Sequence, residues 1–130
     1  MRVMAIDHGA ARVGTAICDP SGTIVRPLGV ISPPDAAEAA RIAESEEAEL
    51  IVVGLPVSLD GSEGEQAAAA RAFATEVEAA GTVAVETYDE RLTTRMAEAS
   101  ARGGASAPSD ALAAAHLLES YLAAHPEPSR

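Results

Sequence analysis

The most informative segment of the sequence is Arg2-Val-Met-Ala-Ile-Asp-His-Gly-Ala-Ala-Arg-Val-Gly14, close to the start of the chain. Within it, Val3 to Ile6 is a short apolar run that ends in the charged Asp7. This pattern predicts a buried strand with a carboxylate at its end. An ionised carboxylate in such a place needs a cationic partner, and a metal ion is one such partner. The alternative is that Asp7 caps the following turn through its own backbone.

The next segments predict two further strands at short intervals. Gly9 and Gly14 flank Arg12 in an expected tight turn, where glycine lets the backbone approach a phosphate closely. Residues 13–18 form a second apolar run, and residues 23–31 form a third strand after an Asp-Pro-Ser-Gly turn. Three short strands joined by tight turns predict an antiparallel meander.

The middle of the chain alternates helical and strand patterns. Residues 35–49 are rich in alanine and glutamate at helical spacing, and residues 65–80 repeat the pattern. Between them lies Leu-Ile-Val-Val-Gly-Leu (50–55), which is apolar throughout and therefore typical of a central parallel strand. Residues 83–88 predict a fifth strand. The buried stripe of the second helix is predicted to consist of Ala69, Ala72, Phe73 and Val77.

Two further helices are predicted after the fifth strand. The first is short and covers residues 92–101, and the second covers residues 109–124. The inner face of the last helix is predicted to be Ala111, Ala115, Leu118 and Leu122. The whole chain, residues 1–130, is expected to form one α/β domain. Its mixed five-stranded sheet would combine the antiparallel meander with two parallel strands, and helices would flank it.

Composition narrows the class of protein. The chain is 48% hydrophobic and 22% charged, and no apolar stretch is long enough to span a membrane, so we expect a cytoplasmic protein without a membrane partner. Cys18, the single cysteine, is expected to be a small core residue rather than a catalytic thiol. The net charge of −11 argues against a protein that coats nucleic acid. Most of that charge lies in the two predicted acidic helices.

Acidic residues collect where strands end and the last helix begins. They are Asp7, the Asp89-Glu90 pair and Asp110. Carboxylates without a basic residue among them bind hard divalent cations, and two such ions can activate water and stabilise the departing oxygen of a phosphodiester. Each has a simpler alternative: Asp110 can stabilise the helix dipole, and Asp89 and Glu90 can form surface ion pairs with Arg91 or Arg95.

The same residues resemble a known family. Five blocks carry the resemblance, in family order over nearly the whole chain: Ile6-Asp-His-Gly with Arg12-Val-Gly14, Ile51-Val-Val-Gly-Leu-Pro56, Asp60-Gly-Ser-Glu-Gly-Glu65, Asp89-Glu-Arg-Leu-Thr-Thr94, and Asp110 with Ala113-Ala114. The chain is similar to the YqgF family, also called RuvX, of the ribonuclease H-like superfamily. Together the five blocks are a specific indication of this family, whereas each block alone would be weak evidence.

The resemblance implies a ribonuclease H-like fold and a metal-dependent nuclease that uses Mg²⁺ or Mn²⁺, with two ions expected. The implied substrate is the 5′ end of precursor 16S ribosomal RNA, and the alternative is a Holliday junction. Ribosome assembly intermediates are possible partners, and the chain is expected to be a monomer or weak homodimer. Carried over by position, the catalytic acids are Asp7, Asp89, Glu90 and Asp110. Asp7, Glu90 and Asp110 are named as metal ligands, but the choice between Glu90 and Asp89 stays open because neighbours on a strand point to opposite faces. The implied substrate-binding residues are Gly9, Arg12, Gly14, Arg91, Thr93 and Thr94, with Gly54, Pro56, Glu63 and Gly64 as further loop positions.

The chain departs from the family pattern at two places. His8 stands where an apolar or aromatic residue is usual, and residues 102–108 form a nearly neutral loop where relatives often carry basic residues. The neutral loop removes a source of phosphate attraction. Two other classes of function stay open at this point. One is a nucleotide-binding module, because Asp7-His-Gly with Gly14-Thr15 also resembles the phosphate-binding hairpin of actin-like kinases. The other is a non-catalytic RNA-binding assembly factor.

Overall fold

The computed structural model describes residues 1–56, 63–89 and 109–125. These residues form a five-stranded sheet with helices against both faces. In chain order the elements are β1 (Val3–His8), β2 (Val13–Cys18), β3 (Val25–Ile31), α1 (Ala36–Ser45), β4 (Leu50–Leu55), α2 (Glu65–Ala80), β5 (Ala84–Asp89) and α3 (Ser109–Ala124). The predicted helix over residues 92–101 lies outside the described residues.

The strand order across the sheet is β3-β2-β1-β4-β5. β1 and β2 pair antiparallel, as do β2 and β3, whereas β4 runs parallel to both β1 and β5. The predicted combination of a meander with two parallel strands is therefore confirmed. β1 lies at the centre and joins the two halves, so its carboxyl end is where antiparallel and parallel pairing meet.

Two apolar cores lie on opposite faces of the sheet. Met4 and Ile6 of β1 point into the core covered by α1 and α2, which also contains Phe73. Val3 and Ala5 point into the core covered by α3. Successive side chains of a strand alternate between faces. The side chain of Asp7 therefore projects towards α3, and the side chain of the next residue projects towards α2.

Helix α1 is shorter than predicted. It ends at Ser45 instead of continuing to residue 49, and Glu47 follows with a positive φ of 61°. A left-handed residue just after a helix reverses the chain. The reversed chain is held against β1, because the Glu49 amide donates to the Arg2 carbonyl at 2.8 Å. The acidic sequence pattern continues past this turn and could not reveal it.

The predicted buried stripe of α2 is partly wrong. Phe73 and Val77 are buried as expected, but Ala69 and Ala72 are exposed. The buried alanines are Ala67, Ala70 and Ala74. Alanine occupies every side of this helix, so its positions do not define which face is buried, and only the larger side chains do so.

Helix α3 is more deeply buried than its pattern indicated. Ala111, Ala115 and Leu118 are buried as predicted, and Leu122 is only partly buried. Further buried residues of this helix are Ala114, His116, Leu117, Ser120 and Tyr121. Cys18 lies in the core beneath α3, which confirms its prediction as a core residue. Within the described residues, no helix is long and apolar enough to cross a membrane.

The turn between β2 and β3 is organised by the carboxylate of Asp19. It accepts hydrogen bonds from the Thr23 and Ile24 amides at 2.8 and 2.9 Å, and from the Ser21 hydroxyl at 2.8 Å. The amide hydrogen bond from Ile24 is the largest of the causes that lower the pKa of Asp19 to about 2. The charged form is thus favoured in the folded state.

We predict that Asp19→Ala lowers stability in a pH-dependent way. Because the folded pKa lies below the ordinary value of 3.8, the contribution is complete above that value and is lost as pH falls towards about 2. The urea midpoints of wild type and Asp19→Ala should therefore differ most above pH 4 and converge as the solution is acidified. Ser21→Ala, which removes one of the three hydrogen bonds, should have a smaller effect. A difference that is independent of pH would contradict this role.

Candidate functional site

The centre of the candidate site is the cross-strand pair formed by Asp7 of β1 and Gly14 of β2. Residues directly opposite in an antiparallel pair have Cα atoms about 4.5–5.5 Å apart and side chains on the same face. A side chain at position 14 would therefore stand beside Asp7 on the α3 face. Glycine leaves that space empty of side-chain atoms.

The start of α3 fills the space above Gly14. A Cβ atom built on Gly14 would lie 1.9 Å from the carbonyl oxygen of Asp110 and 2.4 Å from its carbonyl carbon. The backbone of Asp110 therefore lies directly against β2. Because Asp7 is the cross-strand neighbour of Gly14, this contact brings Asp7 and Asp110 to the same edge of the sheet from 103 positions apart in the sequence.

Arg12 completes this corner of the molecule. Its Nε donates to Oδ2 of Asp110, and its side chain stays 58% exposed while that of Asp110 is 34% exposed. The hairpin turn is closed by the Gly9 amide, which donates to the Arg12 carbonyl at 2.9 Å. Arg12 is thus held beside the acids by its side chain and by its backbone.

Asp89 lies on the other face of the sheet. It is the last residue of β5 and pairs with Leu55 of β4. Val85, four positions earlier and therefore on the same face of the strand, packs against the core covered by α1 and α2. Its neighbour Tyr88 faces α3, where its ring lies 5.5 Å from that of Tyr121. Alternation therefore directs Asp89 towards the α2 side, away from Asp7.

The surroundings of Glu63 agree with this placement of Asp89. Arg71 donates to both carboxylate oxygens of Glu63, at 2.9 and 2.6 Å. This pairing lowers the pKa of Glu63, and the negative charge of Asp89 opposes the shift. The charge of Asp89 is thus close enough to affect the pKa of Glu63. Glu63 lies just before α2 and Arg71 lies within it.

The structure brings together part of the predicted site. Asp7, Arg12, Gly14 and Asp110 meet at one corner, and Gly9 closes the adjacent turn. Among residues 1–56, 63–89 and 109–125, no group of three or more acidic, histidine or cysteine side chains is placed to hold a metal ion. The remaining predicted site residues lie outside the described parts of the chain: Glu90, Arg91, Thr93 and Thr94.

A second feature lies on the α2 face of β1. The ring of His8 packs on the ring of Phe73, with centroids 4.8 Å apart. Burial is the main cause that lowers the pKa of His8. The departure from the family pattern at His8 therefore lies on the face of β1 opposite to Asp7. Next to it is a cleft of about 260 Å³, lined by His8, Gly9, Ala10, Glu65, Gln66 and Ala69.

Sequence reasoning missed this cleft. Glu65, Gln66 and Ala69 are ordinary surface residues of a helix by composition, and Ala69 was assigned to the buried stripe. The one available signal was His8, an imidazole where an apolar or aromatic side chain is usual.

A solved structure shares the fold of this chain. The structure of Thermus thermophilus RuvC in complex with a Holliday junction substrate matches with a TM-score of 0.61 at 21% identity, and the match covers 95% of each chain. This similarity confirms the ribonuclease H-like fold.

The sequence comparisons identify the family. The family described as "RuvX: Holliday junction resolvase" matches residues 1–124, and the chain therefore belongs to the RuvX family. A relative from Anaeromyxobacter sp. (strain Fw109-5), named "Putative pre-16S rRNA nuclease", is 42% identical and covers 94% of this chain and 96% of its own. A relative of the same name from Thermobifida fusca is 44% identical over 79% of this chain and 67% of its own. The predicted family and nuclease class are confirmed.

We predict that Gly14→Ala moves the start of α3 away from β2. The added methyl group would overlap the Asp110 backbone, and overpacking of this kind costs about 1–3 kcal/mol. Gly29→Ala is the matched control, because a Cβ atom there has nothing within 4 Å. Urea unfolding should show a clear loss of stability for Gly14→Ala and a change within about 0.5 kcal/mol for Gly29→Ala. Equal effects of the two substitutions would contradict the close approach.

Proposed function

We propose that this chain is a divalent-metal-dependent nuclease that matures the 5′ end of precursor 16S ribosomal RNA. The observation that carries the proposal is the convergence of Asp7 and Asp110 through the Gly14 contact. Two carboxylates at the junction of β1, β2 and α3 form an anionic corner at the carboxyl end of the central strand. Ligand sites of open α/β sheets occur at such strand ends.

The donor set suits Mg²⁺ or Mn²⁺, and two ions are proposed. Carboxylate oxygens are the preferred ligands of these hard cations. Asp7 and Asp110 would hold the metal together with Glu90. We assign the third position to Glu90 instead of Asp89, because β5 directs Asp89 to the face opposite to Asp7. When bound, the metal would stabilise negative charge on the phosphate and lower the pKa of water.

Arg12 is proposed to hold a phosphate beside the acids. Its Nε is engaged by Asp110, and its side chain is more than half exposed. A guanidinium has five N–H donors in a planar fork, so contact with one carboxylate oxygen leaves others for a phosphate. The carboxylate therefore also orients the arginine. Arg91, Thr93 and Thr94 are proposed as further substrate contacts on the basis of family position alone.

We propose precursor 16S ribosomal RNA as the substrate because of the names of two similar relatives. The pre-16S rRNA name is carried by proteins that share 42–44% of aligned residues with this chain, whereas RuvC shares 21% and supports only the fold. The family description favours a Holliday junction as the second candidate. The net charge of −11 makes strong unaided binding of a polyanion unfavourable. A ribosome assembly intermediate that presents the RNA would compensate for this charge.

We predict that Asp7→Asn and Glu90→Gln each reduce metal-dependent cleavage by at least about a hundredfold, the scale of losing one group that stabilises charge in the transition state. Asp89→Asn is the matched control and should retain activity within about tenfold. Thermal unfolding of each variant would show that the fold is intact. Full activity of Asp7→Asn would refute the site, and a larger loss in Asp89→Asn than in Glu90→Gln would reverse the assignment of the third acid.

We also predict that the purified protein cuts precursor 16S rRNA in preference to a four-way DNA junction or simple duplexes. The substrates are compared side by side with Mg²⁺, with Mn²⁺ and with chelator, and products are mapped on sequencing gels. Precursor RNA presented on an assembly particle should be cut faster than free RNA, because the particle supplies contacts that the acidic chain lacks. If the protein cut the four-way junction symmetrically and did not cut RNA, it would be a Holliday junction resolvase and the proposed function would be wrong.

A further inference from the structure

The cleft on the α2 side of β1 lies near the proposed site and has been given no role so far. It is about 260 Å³ in volume, slightly smaller than sites that enclose a drug-sized molecule, so it suits one small planar group. His8, which lines it, directly follows Asp7 in β1. Consecutive Cα atoms are about 3.8 Å apart. The cleft therefore opens one residue from the proposed metal ligand, on the opposite face of the strand.

One wall of the cleft is aromatic and fixed in position. The His8 ring packs at 4.8 Å on Phe73, which is only 5% exposed and belongs to the core. Ala10 and Ala69 add small apolar surface, and both are exposed to solvent. Unstacked bases bind to aromatic and imidazole rings in this way, and such stacking contributes in both RNA and DNA recognition.

The polar groups of the cleft distinguish a base from a phosphate. Glu65 and Gln66 line the cleft, so a carboxylate and an amide side chain are near any group that enters it, and the lining residues include no lysine or arginine. A carboxylate repels a phosphate, but it accepts hydrogen bonds from ring and exocyclic N–H groups. The amide both donates and accepts. Guanine, with two adjacent N–H donors beside a carbonyl oxygen, matches a carboxylate together with an amide N–H.

We propose that this cleft binds one unpaired nucleobase, with guanine preferred, from the strand whose phosphate lies at the Asp7 corner. The proposal rests on the proposed nuclease function and deepens it, because it specifies the form of the substrate. A base that enters the cleft has left its stack and its pairing partner. The nuclease would therefore require a single-stranded or frayed nucleotide next to the cleavage point, and a continuous duplex would not fit.

The test measures binding without cleavage. Fluorescein-labelled single-stranded RNA octamers of uridine, carrying either one central guanine or an abasic ribose at that position, are titrated with the full chain in chelator and followed by polarisation. We expect the guanine octamer to bind about tenfold more tightly than the abasic octamer, within the range for one stacked base. Ala69→Leu, which fills the cleft from an exposed helix position, should abolish this difference.

Ala68→Leu is the matched control, because Ala68 is also an exposed alanine of α2 and does not line the cleft. It should keep the tenfold difference. Equal binding of the two octamers by wild type, or the same loss in both leucine variants, would overturn the proposal. Competition by guanosine monophosphate at a concentration well above that of the octamer would support it. Tighter binding of the free nucleotide than of the octamer would overturn the assignment to a nucleic-acid strand.

The two proposals fail in different ways. If the guanine difference is present and Ala69→Leu removes it, but no substrate is cut with Mg²⁺ or Mn²⁺, the cleft is supported and the nuclease assignment fails. If cleavage is normal in wild type and Ala69→Leu, and the guanine difference is absent, the cleft is overturned while the nuclease assignment stands.

Discussion

The contact between Gly14 and the backbone of Asp110 is the constraint on which the site depends. Gly14 of β2 has no side chain, and it is the main chain of α3 that lies against it. The two elements therefore approach more closely than a larger residue at position 14 would allow. Gly14 is also the cross-strand partner of Asp7. The missing side chain at position 14 therefore lets the last helix lie directly against β2, which brings Asp110 towards the cross-strand partner Asp7.

The corner formed by Asp7, Asp110 and Arg12 is defined by its charges as well as by its packing. Two carboxylates at one edge repel each other unless cations compensate for them. Arg12 supplies one compensating charge through Asp110, and it remains exposed enough to contact a further anion. The chain as a whole carries a charge of −11, so a local positive group at the rim matters more here than in a basic nuclease. Under the proposed function, affinity for nucleic acid would depend on a few well-positioned contacts and on the partner that presents the substrate.

Successive side chains of β1 face opposite sides of the sheet, so the candidate acid corner and the cleft lie on different faces. Asp7 faces α3 and contributes to the anionic corner, while His8 faces α2 and forms the wall of the cleft. The same rule separates Tyr88 from Asp89 at the end of β5. Under the two proposals made above, this strand end would hold a backbone phosphate on one side and a base on the other. The imidazole at position 8 packs on Phe73.

The approximate positions of the five strands, the mixed sheet and the family could be predicted from the sequence, because apolar runs, turn residues and spaced acidic blocks are local signals. The sequence also allowed the acids to be proposed as site residues, since a charge at the end of a buried strand stands out in the sequence. It could not determine the buried face of α2, where alanine occupies every side, or the end of α1, where a single left-handed residue stops an unbroken acidic pattern. Only the tertiary structure decided that Asp7 and Asp110 share a face and that Asp89 does not. Which face a residue occupies follows from strand register and from the depth of the helix contact, and both arise from pairings between segments far apart in the chain.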